Sequence, residues 1–417
     1  MDVTETATRH AICRFCGSAE TEPFVDLGMS PLCESFLEAD ALDRMEPFYP
    51  LAVFVCPRCF LVQLKEYVSP EEIFGEYAYF SSYSDSWLAH AASYSRAVIE
   101  RFALGESSFV VELASNDGYL LRNFVTRGIP CLGIEPAANV ARAATEAGIP
   151  TRVEFFGRSC ARELVAHHPP ADLIVGNNVL AQVPDLNDFV AGVALLLAPD
   201  GVVTLEFPHL LELIERNQFD TIYHEHFSYF SLLATQRILA AHGLEVFDVE
   251  ELSSHGGSLR VFARHAGAAC GGMGSGLDAV RQREREARLD SLAGYAGYAE
   301  RVARTKRDLL GFLIDVKRSG NSVVGYGAPG KGNTLLNYCG VRTDFLDFTV
   351  DRNPHKHGRF LPGTHIPVLP VEKLREARPD FILILPWNLR TEISEQLSYA
   401  REWGARLVVP VPRLEVF

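Results

Sequence analysis

The sequence predicts a multidomain α/β protein with a cysteine-rich front, a central doubly wound sheet and a Rossmann-like α/β domain at the rear. Three observations predict it. Four cysteines fall in two C-x-x-C pairs ahead of residue 60; short apolar strands, each leading into a polar turn and a helix, fill 107–210; and a strand, a glycine-rich turn and a helix recur at 322–340. At 417 residues the chain exceeds what one hydrophobic core normally supports. Domains are therefore expected at 1–70, 71–265 and 266–417.

The formal net charge of −14 argues against a nucleic-acid partner, because phosphate backbones are held by Lys and Arg. A small-molecule ligand fits better. The opening "MDVTETATRH" is not a basic-then-apolar signal, and no apolar run is long enough to span a bilayer, so the expectation is a cytoplasmic protein without membrane contact. Nine cysteines in a reducing compartment are not a disulfide framework. The expected assembly is a monomer or weak oligomer.

At the front, "CRFC" (Cys13, Cys16) and "CPRC" (Cys56, Cys59) have the layout of a zinc ribbon. Zinc takes four thiolates in a tetrahedron, and each C-x-x-C turn supplies two. Cys33 breaks the pattern and is left out. A shell closed by four thiolates has no open position, so the metal is expected to be structural. Behind it, "FGEYAYFSSYSDSWLAHA" (74–91) is dense in hydroxyls, which suggests a polar ligand surface from Tyr79, Ser81, Ser82 and Tyr83; the competing reading is a helix start capped by Ser84 or Asp85.

The central stretch opens with "SSFVVELASNDGYLLRNFVTRG", a buried strand, an acidic turn and a helix. Asn116, Asp117 and Gly118 stand where a dinucleotide fold puts its glycines. "PCLGIEP" is a second strand ending at Glu135 and Pro136, near the offset of ~20 residues at which a carboxylate reaches ribose hydroxyls. "ADLIVGNN" is a third, and its exit "NNVLAQVPDL" supplies Asn177, Asn178 and Gln182. "GVVTLEFPHL" follows, ending at Glu206 and His209. An acid-rich turn suits S-adenosylmethionine, whose sulfonium and ammonium need acceptors and carboxylates where a pyrophosphate needs N–H donors. The candidate cofactor contacts are Glu112, Ala114, Asn116, Asp117, Gly118 and Leu120 in the first turn, Glu135 and Pro136 in the second, and Asn177, Asn178 and Gln182 in the third.

At the rear, the charged stretch 278–320 reads as a solvated helix face. "SVVGYGAPGKGNTLLNYCG" then sets Gly325, Gly327, Gly330, Lys331, Gly332 and Asn333 after a strand and before a helix, a phosphate cradle with a built-in cation but without full P-loop spacing. The next strand ends near Asp351 and brings Arg352 and Lys356 to the same edge. A nucleoside diphosphate would meet matched charges there. The plainer reading is a second α/β domain whose glycines only turn corners.

"TIYHEHFSYF" (221–230) sets His224, Glu225 and His226 among aromatics. It could ligate a metal, move protons or cap the following helix. In an extended segment His224 and His226 would share one face and Tyr223 and Glu225 the other.

Taken together, the four-cysteine front, "EYAYFSSYS", "ELASNDGYLL", "NNVLAQVPDL", "YHEHFSYFS", "GGSLRVF" and "GYGAPGKGNTLLN" resemble, over nearly the whole chain, the sugar-nucleotide C-methyltransferases of deoxysugar antibiotic pathways, in particular the C-3 methyltransferases of tetronitrose biosynthesis. The resemblance implies a zinc-binding front, a central S-adenosylmethionine domain and a rear α/β domain, with a dTDP-linked 4-keto deoxysugar, a 3-amino sugar among them, bound between domains. It places Tyr77, Tyr223, Glu225 and His226 on active-site positions and favours His226 over His224. One departure stands out. Family members often read "NNVLAHVPDL", and Gln182 replaces that histidine; glutamine hydrogen-bonds but cannot titrate, so the position either only orients ligand or marks weakened activity.

Methyl transfer to carbon needs a carbanion, hence a base near neutrality, a donor for the enolate oxygen and a group that holds the base. His226 suits the first role, Tyr223 the second, and Glu225 the third or the sugar's amine. Two rival readings are a sugar-nucleotide oxidoreductase, against which the missing GxGxxG speaks, and a zinc-ribbon RNA-binding module, against which the acidic charge speaks.

Overall fold

The computed structural model describes residues 12–74, 80–269, 274 and 276–417. The chain divides into two compact units, one of Met1–Glu22, Val55–Leu210 and Phe227–Gly294, the other of Pro23–Phe54, Leu211–His226 and Tyr295–Phe417.

The first unit is built on a seven-stranded sheet: β1 (Val110–Leu113), β2 (Cys131–Ile134), β3 (Thr151–Arg152), β4 (Ala171–Asn177), β5 (Leu197–Pro208), β6 (Leu244–Leu252) and β7 (Ser258–His265), in the order β6-β7-β5-β4-β1-β2-β3. Strands β1 to β5 are parallel, and β7 inserts antiparallel between β5 and β6. The order reverses beside β1, so the carboxyl ends of β1 and β4 flank a crevice where such sheets take ligands. Continuous apolar strands follow from burial on both faces. Val111, Leu113 and Ile174 enter one apolar layer; Val110, Leu173 and Val175 enter the other. Cys13, Cys56 and Cys59 join the first layer, which packs the cysteine knuckles against the sheet. Helix α1 (Asp85–Arg101) covers the second layer through Ala91, Tyr94 and Val98.

The second unit holds a six-stranded sheet: β8 (Val323–Tyr326), β9 (Thr349–Asp351), β10 (Val368–Pro370), β11 (Phe381–Ile384), β12 (Arg406–Val409) and β13 (Glu415–Val416), in the order β10-β9-β8-β11-β12-β13. All are parallel except β13. Helix α2 (Tyr298–Arg318) takes up the second half of the charged stretch, and its Val302, Leu309 and Leu313 are buried. Helix α3 (Gly330–Cys339) follows the glycine-rich turn. Residues 23–54 belong to this unit, where Phe24 stacks on Tyr298 with ring centroids 4.5 Å apart.

Candidate active site

The two C-x-x-C segments form knuckle turns. Gly17 N–H returns to the Cys13 carbonyl and Phe60 N–H to that of Cys56, each at 2.9 Å, with Gly17 and Phe60 at positive φ. This brings Cys13 Sγ to 3.5 Å from Cys59 Sγ and Cys16 Sγ to 3.5 Å from Cys56 Sγ, all four within 4.8 Å. Zinc–sulfur arms of about 2.3 Å in a tetrahedron put sulfurs about 3.8 Å apart, so the cluster is of zinc size. The Cys59 hydrogen bond draws the Cys13 thiol down to about 5, towards the thiolate a metal needs. Cys33 lies elsewhere, in the second unit.

At the carboxyl end of β1 the chain turns through Ala114 (φ 54°), Asn116 (φ 51°) and Gly118 (φ 76°). A Cβ on Gly118 would lie 2.7 Å from Ile149 Cγ1. Glu135, at the end of β2, fastens this turn: Oε2 accepts Asn116 N–H and Oε1 accepts Ala137 N–H, both at 2.9 Å. Glu112 is almost wholly buried. Burial, then the charges of Glu135 and Asp117, push its carboxyl well above the usual range. Burial also raises Glu135. Among the described residues, Ser115 Oγ, Asp117 Oδ1 and both side-chain polar atoms of Asn177 are buried without a hydrogen-bond partner. Asn178 has φ 56° and donates to His255 Nε2 at 3.2 Å. Pro136 and Gln182 are half-buried, whereas Leu120 is sealed in the apolar layer.

The Ser81 and Ser82 amides fasten the first turn: Ser81 N–H donates to Asn116 Oδ1 at 2.9 Å and Ser82 N–H to Asp117 Oδ2 at 3.1 Å. Ser84 caps α1, accepting from Trp87 N–H. Tyr83 is exposed. Tyr77 and Tyr79 lie outside the described residues.

In the second unit the segment 219–226 is not extended. Phe219–Thr221 forms one helical turn, and a second turn closes with His226 N–H on the Tyr223 carbonyl at 2.9 Å. Strand alternation therefore does not apply, and the expected division of faces is corrected: the Tyr223 and His226 rings lie against each other, centroids 4.1 Å apart and planes inclined by 33°. His226 Nδ1 donates to the Thr221 carbonyl at 3.0 Å, since that oxygen can only accept. In the neutral ring this contact keeps the proton on Nδ1 and puts the lone pair on Nε2. His224 Nε2 is spent on the Pro50 carbonyl at 3.2 Å, beside the Tyr49 ring, and burial lowers its pKa. Glu225 Oε1 accepts from Cys33 Sγ at 3.6 Å.

The glycine-rich turn carries internal carboxylates where a phosphate was expected. Ala328 N–H donates to Asp351 Oδ2 at 2.7 Å. Glu34 takes Gly330 N–H and lies 3.7 Å from Lys356 Nζ, which also donates to the Ala328 carbonyl. Lys331 donates to Asn388 Oδ1 at 3.1 Å and sits 5.1 Å from the centroid of the Trp387 ring. Asn333 Nδ2 donates to the Cys33 carbonyl at 2.6 Å. Arg352 is exposed, 3.9 Å from Glu392.

Residues 13–74 match a zinc binding domain family, 87–249 a methyltransferase domain family and 253–412 the family described as C-methyltransferase C-terminal domain. The C-methyltransferase NovU of Streptomyces niveus is 36% identical over 404 residues, 97% of this chain and 96% of that protein. The chain belongs to the C-methyltransferase family. Among solved structures, a magnesium protoporphyrin IX methyltransferase from Synechocystis PCC 6803 with bound SAM is similar over 47% of this chain and 89% of its own, at 14% identity and a TM-score of 0.33. An S-adenosylmethionine-dependent methyltransferase from Clostridium acetobutylicum covers 42% of this chain and 91% of its own, at 12% identity and a TM-score of 0.35.

The enzyme is thus an S-adenosylmethionine-dependent C-methyltransferase with a zinc-binding front, a central methyltransferase domain and a C-terminal α/β domain. Its residues fit both groups. The four cysteines suit zinc, and the first unit has three carboxylates and buried polar atoms without partners at one sheet edge, a donor set that suits a sulfonium and an ammonium group. Among the described residues no helix is long and apolar enough to cross a membrane.

Sequence reasoning missed a buried ion cluster at the end of β5. Glu206 bonds His90 Nε2 at 2.9 Å, Arg260 Nη2 at 2.6 Å and Ser254 Oγ at 2.9 Å. Burial alone would raise its carboxyl; the His90 hydrogen bond and the Arg260 charge bring it down to about 2. The cluster links residues up to 170 positions apart, and nothing local marks it. His209 serves structure: it bonds Glu284 at 2.8 Å, and Glu284 caps the helix starting at Leu232.

Proposed function

We propose that this C-methyltransferase acts on C-3 of a dTDP-linked 4-keto deoxysugar, a 3-amino sugar among the candidates, through an enolate. The observation that carries the reading is the contact of His226 Nδ1 with the Thr221 carbonyl at 3.0 Å. Its Nδ1–H is committed to the Thr221 carbonyl, so in the neutral ring the basic lone pair belongs to Nε2. His226 Nε2 removes the proton next to the ketone. Tyr223, its ring tilted against that imidazole, supplies the hydroxyl that donates to the developing oxyanion. Glu225, oriented by Cys33, takes the sugar's amine or steadies the loop. When bound, S-adenosylmethionine supplies an electrophilic methyl carbon.

Glu135 is assigned to the ribose hydroxyls, using the carboxylate lone pairs beyond those given to Asn116 and Ala137. Glu112, Asp117, Asn177 and Asn178 are assigned to the cationic end of the cofactor, and Gln182 to orientation of ligand. Tyr77 and Tyr79 join the substrate contacts on the resemblance alone. Arg352 and Lys356 are the cations assigned to the diphosphate. We read the chain as domains 1–70, 71–265 and 266–417.

The test is deuterium exchange at C-3 of the keto-sugar without methyl donor, which requires only the enolate. His226→Asn should abolish exchange and lower turnover on the order of 10²–10⁴-fold with little change in substrate binding. Exchange that persisted in His226→Asn but vanished in His224→Asn would move the base to the neighbouring imidazole.

A further inference from the structure

Asp220 has no role in the reading above, yet it is wholly buried. Its Oδ2 accepts Trp387 Nε1–H at 2.6 Å, and Oδ1 has no hydrogen-bond partner among the described residues. The cation facing it is Lys331, which is itself fixed over the Trp387 ring and on Asn388. Burial pushes the Asp220 carboxyl up to about 6 against the opposing Lys331 charge and Trp387 hydrogen bond. A buried carboxylate with one donor is costly to keep, so its place in the fold asks for a reason.

That place is the helical turn Phe219–Thr221, whose last carbonyl receives His226 Nδ1–H. The same stretch is braced a second time from α3: Thr334 Oγ1 donates to the Ile222 carbonyl at 3.1 Å, and the Phe219 ring meets Tyr338 edge-on at 5.4 Å. Thr221 thus sits between two anchored neighbours, and its carbonyl direction is set by both.

We propose that Asp220, Trp387 and Lys331 form a positioning assembly that holds the Thr221 carbonyl on His226 Nδ1 and so fixes the tautomer of the base. All three act through the turn. The assignment rests on His226 as base, and it takes Lys331 from the diphosphate contacts expected of the glycine-rich turn. Lys331 then governs turnover, where a phosphate ligand would govern substrate affinity.

The experiment uses the full-length protein with ¹⁵N-labelled histidine, the His226 signals being assigned by their loss in His226→Asn. Trp387→Phe removes the indole donor and keeps a ring beneath Lys331. Wild type should show His226 as the Nδ1–H tautomer, and Trp387→Phe should show a mixture, with kcat down about tenfold and KM for both substrates within about twofold. Lys331→Met should give the same split, and it carries the test if Trp387→Phe does not fold. Unchanged His226 signals in the folded variants, or a raised sugar-nucleotide KM with intact kcat in Lys331→Met, would overturn the proposal. The tautomer readout does not need catalysis. Failure of His226→Asn to stop exchange would therefore remove only the assignment of the base.

Discussion

Replacing Glu135 by glutamine isolates what a buried carboxylate contributes to cofactor affinity. Its two oxygens each accept a backbone N–H at 2.9 Å, from Asn116 in the first turn and Ala137 in the second. Glutamine keeps one acceptor and turns an NH₂ towards the other N–H, so one charge-assisted hydrogen bond is lost, about 2 kcal/mol. The turn at Asn116, held at φ 51°, loses its fastening. Weakening the ribose contact from ionic to neutral adds about 1 kcal/mol. The backbone bond exists with and without cofactor and enters Kd only through re-forming the turn on binding, so with the ribose contact the rise in Kd is between roughly 5-fold and 10²-fold. Calorimetric titration with S-adenosylmethionine and S-adenosylhomocysteine measures it, and both should weaken alike, because they share the ribose. At saturating cofactor kcat should change little, since ribose contacts are similar in ground and transition states. An unchanged Kd, or a loss confined to kcat, would refute the placement of the ribose.

Burial and neighbouring carboxylates disfavour the charged form of Glu112, whereas a bound cation favours it. Binding of S-adenosylmethionine should therefore release a proton, and its affinity should rise with pH up to the raised pKa of Glu112 and level off above it; S-adenosylhomocysteine, without the sulfonium, should show a flatter profile in the same titrations. Glu34→Gln should tighten binding of dTDP by about tenfold, because a carboxylate no longer competes for Gly330 N–H and Lys356; fluorescence titration showing unchanged or weaker binding would remove the glycine-rich turn as a phosphate site. Cys56→Ser should lower zinc below one equivalent by elemental analysis and lower the melting temperature, because metal binding at such a site is folding free energy. A metal-free variant that melted like wild type would contradict the structural role.

Features carried by neighbouring residues were legible in the chain. The C-x-x-C pairs, the strand and turn at "VVELASNDG", the carboxylate ending "LGIE" and the glycine-rich turn before α3 depend on spacing, apolar runs and turn residues, and the structure forms each one locally. The expected zinc front, methyltransferase sheet and rear α/β domain match three families in the same order. The Ser81–Ser84 stretch was only partly legible. The helix start capped by Ser84 was one of its two readings and is formed, whereas the bonds of the Ser81 and Ser82 amides to Asn116 and Asp117 were not foreseen. Backbone donors carry no signature in residue type.

The chain by itself determined which chemical groups the enzyme owns: four thiolates, an acidic sheet edge and a tyrosine, a carboxylate and two imidazoles within four positions. Tertiary structure decided what each group meets. Glu34 reached the turn where a phosphate was expected from about 300 residues away, Asp220 found Trp387 across 167, and His224 was given to Pro50 across 174. Only folding separated the two imidazoles, one bonded through Nε2 and the other through Nδ1. Local spacing encodes turns and strands because their hydrogen bonds close within a few residues. Partners brought together by long-range packing follow from chain topology, which no short motif contains.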